Sequence, residues 1–168
     1  GYGLVTLHRR ESFGEPLASL CAGLRRLLDV APGFHLLWPV HLNPQARRAA
    51  RALGSHPRVH LLRPLSYPDM AAALSRCRFV LTDSGGLQEE APFFRKPVLV
   101  LRSVTERPET VAAGVARLTG VDGSSVFRKA LRLLENPGVH KRMARRSPLY
   151  GDGRASSRVA AAIARFLR

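Results

Sequence analysis

Asp83-Ser84-Gly85-Gly86 leaves a short apolar run, Phe79 to Leu81, and Glu89 and Glu90 follow about one helical turn later. Two adjacent glycines let the backbone approach a ligand closely and adopt conformations closed to other residues. If a helix begins there, its free N–H groups and the positive end of its dipole face outward, and a diphosphate is the natural guest. Such a helix end contributes about 0.3–1 kcal/mol toward an exposed anion and ~2 kcal/mol toward a partly buried one, so it needs help from hydrogen bonds or arginine. The glutamates interact well with the helix dipole, and a carboxylate near a nucleotide also accepts ribose hydroxyls. A second group stands at the end of another strand-like run: His8-Arg9-Arg10-Glu11. A histidine near neutrality can donate to a departing diphosphate or exchange a proton. By itself Ser-Gly-Gly also serves merely to turn an α/β loop, and a histidine at a strand end also serves as a cap.

The elements that must position these residues alternate along the chain. Strand-like runs are Gly3 to Leu7, Phe34 to Val40, Val59 to Leu62, Phe79 to Leu81, Pro97 to Leu101 and Val115 to Thr119. Between and after them come helical stretches: Pro16 to Val30, Pro44 to Gly54, Tyr67 to Cys77, Arg107 to Ala113, Ser124 to Glu135 and Ala155 to Leu167. Leu17, Leu20, Leu24, Leu27 and Leu28 recur at helical spacing in the first of these. Asn43-Pro44 reads as a cap and first position, Gly54 and Gly114 as stops, and Asn136-Pro137-Gly138 as the end of the helix before it. Strand–helix alternation builds a parallel sheet with helices on both faces. The nearly continuous apolar character of PVLVL and HLLWPV suits strands buried on both sides. The expected fold is therefore α/β, a Rossmann-like doubly wound parallel sheet forming one domain over residues 1–168. In such sheets ligands sit outside the carboxyl ends of the strands, where both candidate groups fall.

Composition bounds the function. The chain has 168 residues with a formal net charge of +15, the usual prompt for nucleic acid or an anionic membrane. The basic residues are spread singly and in pairs, only Lys96, Lys129 and Lys141 are lysines, and aromatic residues are sparse. No nucleic-acid reading motif accompanies the charge, which argues against that partner. No apolar run approaches the ~18 residues of a membrane span, and no signal-peptide pattern is visible. Cys21 and Cys77 lie in apolar segments without a metal or redox spacing, so they read as core thiols in a reducing cytoplasm. The chain starts at Gly1 and enters a strand almost at once, which reads as a cut from a longer protein.

Taken together, several motifs carry a resemblance. TDSGGLQEEAP (Thr82 to Pro92), the following KPVLVLRSVTERPE, the early segment Thr6-Leu7-His8-Arg9-Arg10-Glu11-Ser12-Phe13-Gly14, PVHLNP and Tyr150-Gly151-Asp152-Gly153 occur in order. This series resembles the non-hydrolysing bacterial UDP-N-acetylglucosamine 2-epimerases, over essentially the whole chain. Those enzymes are similar to glycosyltransferases of the two-domain B type, with the active site between two Rossmann-like domains. The chain matches only the carboxyl-terminal domain, so the resemblance implies half an enzyme with a missing amino-terminal domain.

Residue by residue, the resemblance implies that Ser84, Gly85 and Gly86 bind the UDP phosphates and Glu90 holds the ribose. Arg107 matches a UDP-site arginine; the alternative for it is a structural ion pair with Glu106 or Glu109. Met70 and Leu65 stand where the family often has phenylalanine and glutamine near the uracil, so the base contacts depart from the family pattern. His8 matches the active-site histidine. Arg9, Glu11 and His41 match positions near the substrate or a second, activating UDP-sugar. His35, His56, His60 and His140 match no motif and read as packing or surface residues.

The implied reaction inverts C2 of UDP-N-acetylglucosamine by eliminating UDP to a glycal and re-adding it, with no cofactor and no metal. The family's main acid/base carboxylates belong to the missing domain, so this chain alone is expected to bind UDP and not to epimerise. The full-length protein is expected to be a cytoplasmic homodimer. Three other readings stay open: a UDP-sugar glycosyltransferase of the same architecture, a basic nucleic-acid-binding domain, and a catalytically silent nucleotide-sensing or structural domain. The last helix, Ala155 to Leu167, is expected to expose apolar surface in the absence of the other domain.

Overall fold

The structure, a computed structural model, describes residues 1–9 and 14–167. Among them the elements run β1 (Tyr2–Thr6), α1 (Glu15–Val30), β2 (His35–Pro39), α2 (Pro44–Gly54), β3 (Val59–Leu62), α3 (Tyr67–Arg76), β4 (Phe79–Thr82), α4 (Gly85–Phe93), β5 (Val98–Val100), α5 (Pro108–Ala112), β6 (Ala116–Leu118), α6 (Gly123–Glu135), α7 (Pro137–Met143) and α8 (Ala155–Phe166). The strands form one sheet in the order β3-β2-β1-β4-β5-β6, and every neighbouring pair is parallel. The chain lays β1, β2 and β3 outward in one direction. It then returns to place β4 on the other side of β1 and continues outward to β6. That reversal leaves a crevice at the carboxyl ends of β1 and β4, where open α/β sheets bind their ligands.

The doubly wound class expected from the alternation is what forms, and the pleat divides the core into two layers. Val5, Leu36, Trp38, Phe79, Leu81 and Leu99 point to the layer made by α1, α2, α6 and α7. Leu4, Val80, Val98 and Val100 point to the opposite layer with Ala73, Leu74, Leu87 and Ala91 of α3 and α4. β4 and β5 are buried at every position, which is why their sequences lack polar alternation. The caps match the sequence signals. The Asn43 side chain accepts from the Gln45 amide at 2.8 Å, with Pro44 at the first position of α2. Gly114 adopts φ 72° after α5, a conformation that favours glycine.

Three features were not expected. Asn136-Pro137-Gly138 ends α6, as the sequence suggested, yet it also begins α7. The Asn136 side chain accepts from the Val139 amide at 2.9 Å and Pro137 takes the first helical position. Gly54, read as a stop, is the last residue of α2 without a left-handed backbone. Its missing side chain instead makes room for Leu61, whose Cδ1 would lie 2.5 Å from a Cβ there. The third is the crossing of α1 with α6. A Cβ on Gly23 would lie 2.1 Å from the Gly123 carbonyl oxygen, and one on Gly123 would lie 1.9 Å from that of Ser19. The Gly123 amide also donates to the Ser19 hydroxyl at 3.0 Å. The two helices touch backbone to backbone, and only glycine permits it.

α8 forms as expected and contributes no buried residue. Val159, Ile163, Phe166 and Leu167 are exposed along it. Among the described residues no helix is long and apolar enough to cross a membrane.

Candidate functional site

Residues that follow four parallel strands converge on one cavity of about 260 Å³, lined by Thr6, Leu7, His8, Pro39, His41, Pro64, Leu65, Met70, Ser84 and Leu87. Parallel strands put all their carboxyl ends on one edge, so residues distant in sequence meet there because of the winding. The cavity has an apolar end, made by Pro39, Pro64, Leu65, Met70 and Leu87, and a polar end, made by His8, His41 and Ser84.

The polar end rests on Asp83, the residue after β4. Its side chain is wholly buried. It accepts from the backbone amides of His8 at 3.0 Å and Arg9 at 2.9 Å, and it meets the His8 ring at Nδ1, 2.9 Å away. Burial alone would raise its pKa, but the bonds from the His8 ring and the two amides outweigh it and hold the carboxyl below its ordinary range. The same bond, donated by the ring to Asp83, raises His8 above the ordinary histidine value, against the opposing effects of burial and of Arg9. His41 lies with its ring centroid 5.8 Å from that of His8. It accepts from the Asn43 amide through Nδ1 at 3.2 Å. Beneath these, the Thr6 and Thr82 hydroxyls bond each other at 2.6 Å across β1 and β4.

Ser84 precedes α4 in an extended conformation and its hydroxyl caps no helix amide. The first helical bond is donated by the Gln88 amide to the Ser84 carbonyl. The amides of Gly85, Gly86 and Leu87 therefore come ahead of the helix's own ladder, as the first donors of any helix do. Arginines surround this end. A Cβ built on Gly85 would sit 4.0 Å from guanidinium nitrogens of both Arg9 and Arg107, and 3.9 Å from the Glu106 carboxylate. Arg9 pairs with Glu106 through two bonds, at 2.8 and 3.1 Å, and Arg102 reaches the same carboxylate at 3.3 Å. Arg107 donates through Nε to Glu89 and through a terminal nitrogen to the Glu106 carbonyl at 2.9 Å. The ion pair weighed as the alternative for Arg107, with Glu106 or Glu109, is not the one that forms; its partner is Glu89, one turn into α4. Its pKa is raised by that hydrogen bond. Glu109 bonds the Tyr150 hydroxyl at 2.7 Å, which ties the Tyr150–Gly153 segment to α5.

Glu90 is partly buried beside the glycines, with its carboxylate 3.9 Å from a Cβ built on Gly86. Burial, and then the neighbouring Glu89 charge, raise its pKa. A cation or a pair of hydroxyls would suit that carboxylate.

Of the residues singled out in the sequence, the structure brings His8, His41, Leu65, Met70 and Ser84 into the cavity wall. It sets Gly85, Gly86, Glu90, Arg9 and Arg107 around the adjoining helix end. Glu11 lies outside the described residues. The remaining histidines sit elsewhere: His35 Nδ1 and His60 Nε2 face each other at 3.0 Å on neighbouring strands, His56 accepts from the Arg58 amide, and His140 bonds the Arg78 carbonyl at 2.8 Å. Among the described residues no cluster of three or more metal-ligating side chains occurs. Cys77 is buried and Cys21 partly so; both are free thiols, with pKa values pushed by burial to about 12 and about 11. Besides the apolar lining residues, Asp83 and Glu106 of the site were given no role in the sequence. Asp83 carried a signal, a charged residue at the end of a wholly buried strand, where only buried donors could satisfy it. Glu106 carried none, since nothing in the order of residues distinguishes it from Glu109.

The sequence model of the family described as UDP-N-acetylglucosamine 2-epimerase matches residues 1–164. The chain is 46% identical over 157 residues to the UDP-N-acetylglucosamine 2-epimerase of Bacillus subtilis, covering 93% of this chain and 41% of that protein. It is 42% identical over 161 residues to that of Escherichia coli K12, covering 95% and 43%. Among solved structures, it is similar to Staphylococcus aureus MnaA in a co-structure with UDP, with a TM-score of 0.94, 43% identity and coverage of 99% and 46%. It is also similar to the Neisseria meningitidis UDP-GlcNAc 2-epimerase bound to UDP-GlcNAc, with a TM-score of 0.93, 38% identity and coverage of 98% and 44%. A likeness to a sucrose-phosphate synthase from Thermosynechococcus elongatus, at 18% identity and a TM-score of 0.74, shows a shared fold alone. The chain spans less than half the length of these relatives. Over the part it spans, the chain belongs to the UDP-N-acetylglucosamine 2-epimerase family.

Proposed function

We propose that residues 1–168 are the carboxyl-terminal, UDP-binding domain of an enzyme that interconverts UDP-N-acetylglucosamine and UDP-N-acetylmannosamine. The observation that carries this reading is the convergence of His8, Ser84, the first turn of α4 and two arginines at the β1/β4 crevice, in a chain of that family. The diphosphate sits at the α4 end, where the Ser84 hydroxyl, the Gly85 and Gly86 amides and Arg107 meet its charge. The ribose hydroxyls donate to Glu90. The uracil occupies the apolar end beside Leu65 and Met70, where shape and backbone groups must take the place of polar side chains. Arg9, His41 and Glu11 belong to the sugar or to an activating nucleotide sugar.

Chemically, C2 must lose a proton while the C1–O bond breaks and its electrons pass to the diphosphate. Fixed donors already aimed at that oxygen lower the barrier, because they need no rearrangement as charge develops. His8 protonates or hydrogen-bonds the departing group; UDP then re-adds at C1 as a proton is delivered to C2 on the face opposite the one it left. The carboxylates that move the C2 proton come from the absent amino-terminal domain, so this chain binds UDP without turning over. The reaction requires no nicotinamide and no hydrolysis. The whole protein works as a homodimer in the cytoplasm, a setting that suits the free thiols of Cys21 and Cys77.

Calorimetric titration of the chain with UDP tests the reading. Saturable binding is expected, and Glu90→Ala weakens it roughly 10-fold or more, the loss of a charge-assisted hydrogen bond of about 1.5–3 kcal/mol. Absence of UDP binding by the chain rejoined to its amino-terminal domain, or equal affinity in the variant, would refute it. Product analysis of the rejoined enzyme separates epimerisation from glycosyl transfer.

A further inference from the structure

We infer that Asp83 is a positioning residue that holds the His8 ring in its Nδ1–H form, so that Nε2 is the nitrogen offered to the cavity. The inference about the ring stands on geometry alone; its catalytic meaning rests on the function proposed above.

Asp83 is wholly buried, and a buried carboxylate that accepts several N–H bonds stays ionised. An ionised carboxylate has no proton to give. The ring nitrogen 2.9 Å from its Oδ1 must therefore be the donor, whether the imidazole is neutral or charged. Nδ1 is committed to Asp83, and Nε2 is left on the far edge of a ring that lines the cavity.

The same carboxylate does more than choose a tautomer. It accepts the His8 and Arg9 amides, so the segment after β1 hangs on a residue that follows β4. Asp83 is also covalently next to Ser84, which precedes α4. One side chain thus sets the imidazole, the Arg9 backbone and the start of the anion-facing helix relative to each other. A proton on Nε2 is then held at a fixed place with respect to the Gly85 and Gly86 amides. During elimination it passes to the diphosphate oxygen as the C1–O bond breaks, leaving a neutral Nδ1–H ring, and it returns to Nε2 when that oxygen re-adds.

The test is a long-range ¹H–¹⁵N spectrum of the imidazoles in the ¹⁵N-labelled chain above neutral pH, with His8 assigned by His8→Gln. The expected result is a protonated Nδ1 and a bare Nε2 for His8, and loss of the Nδ1–H form in Asp83→Asn together with a lower titration midpoint. A bare Nδ1 in the parent chain overturns the inference, and so does an Nδ1–H form that persists in folded Asp83→Asn. If Asp83→Asn does not fold, the parent spectrum decides by itself. UDP added to the same samples, and to the chain rejoined to its amino-terminal domain, reports separately on the proposed function: no UDP binding by the rejoined chain while the Nδ1–H ring persists refutes that reading and leaves the tautomer standing.

Discussion

Substituting Gly23 by alanine sets two physical effects against each other, and the sign of the result tells which one governs α1. Helix propensity favours alanine over glycine by about 0.5–1 kcal/mol in a helix interior, so an isolated or exposed α1 would be stabilised. The structure predicts the reverse. The new methyl would lie 2.1 Å from the Gly123 carbonyl oxygen, with the Gly123 carbonyl carbon and Cα at 2.6 and 2.7 Å. Ordinary contact begins near 3.4 Å, so α1 and α6 must separate by more than an ångström. No flexible side chain can yield in their place, because the obstacle is backbone. Separation also loosens Leu20, Leu24, Val126 and Ala130, all buried in the same cluster. Overpacking of a close-packed core costs about 1–3 kcal/mol, and a rigid obstacle places this case near ~3 kcal/mol. After the propensity gain the net loss is about 2 kcal/mol. For a chain of this size that lowers Tm by roughly 4–8 °C, or moves the urea midpoint by about 1 M at a slope of ~2 kcal/mol/M. Urea unfolding followed by far-UV circular dichroism measures it. A variant as stable as the parent, or more stable, would mean that the helices do not meet backbone to backbone, and the packing argument would fail.

The Asp83–His8 pair makes stability depend on pH at both ends. Asp83 has a depressed folded pKa, so its contribution is present above its unfolded value and is lost as pH falls through the folded value. His8 has a raised folded pKa, so its contribution is complete below its unfolded value and is lost as pH rises through the folded value. His8→Gln is therefore expected to flatten the decline in stability above neutrality and to weaken the acid limb as well, because the ring's bond is the first of those that depress Asp83, as urea midpoints from about pH 3 to about pH 9 will show; an alkaline limb equal to the parent's counts against the pair. Removing α8 by truncation before Ala155 is expected to change Tm by no more than about 2 °C, within the ±0.5 kcal/mol typical of surface changes, because none of its residues is buried. It is also expected to reduce self-association in sedimentation velocity, since Val159, Ile163 and Phe166 leave the surface with it. A large loss of stability would show that α8 packs on the domain. Arg107→Ala is expected to weaken UDP binding about tenfold, with a smaller effect for Glu89→Gln, which keeps a neutral acceptor; unchanged affinity for Arg107→Ala in the titration would remove that residue from the phosphate site.

Much of the architecture was open to reading from the residues in order. Apolar runs such as FVL and VLV announce strands buried on both faces, and the leucines of α1 announce a helix facing a core, because burial imposes a period that the sequence must carry. Asn43, Pro44 and Gly114 mark helix ends through local backbone chemistry, which needs no distant partner. The donor character of the Ser84-Gly85-Gly86 helix end is of the same kind, since a helix's first amides lie ahead of its own ladder wherever the helix lies. Even α7 left a trace in Asn136-Pro137, whose capping role serves the following helix as well as ending the one before.

Tertiary structure alone decided the rest. Asp83 binds His8 across 75 positions of chain, and Arg9 pairs with Glu106 across 97. No local preference encodes such partners; they follow from β1 and β4 lying side by side, which depends on the order of winding. The choice of Glu89 for Arg107 arises likewise from how α4 and the loop before α5 meet. Gly23 looks like an ordinary helix weakness, and Gly123 like part of a loop, until α1 and α6 are seen to touch. Short-range chemistry is written in neighbouring residues, whereas a site built on a sheet edge exists only once distant strands are placed next to one another.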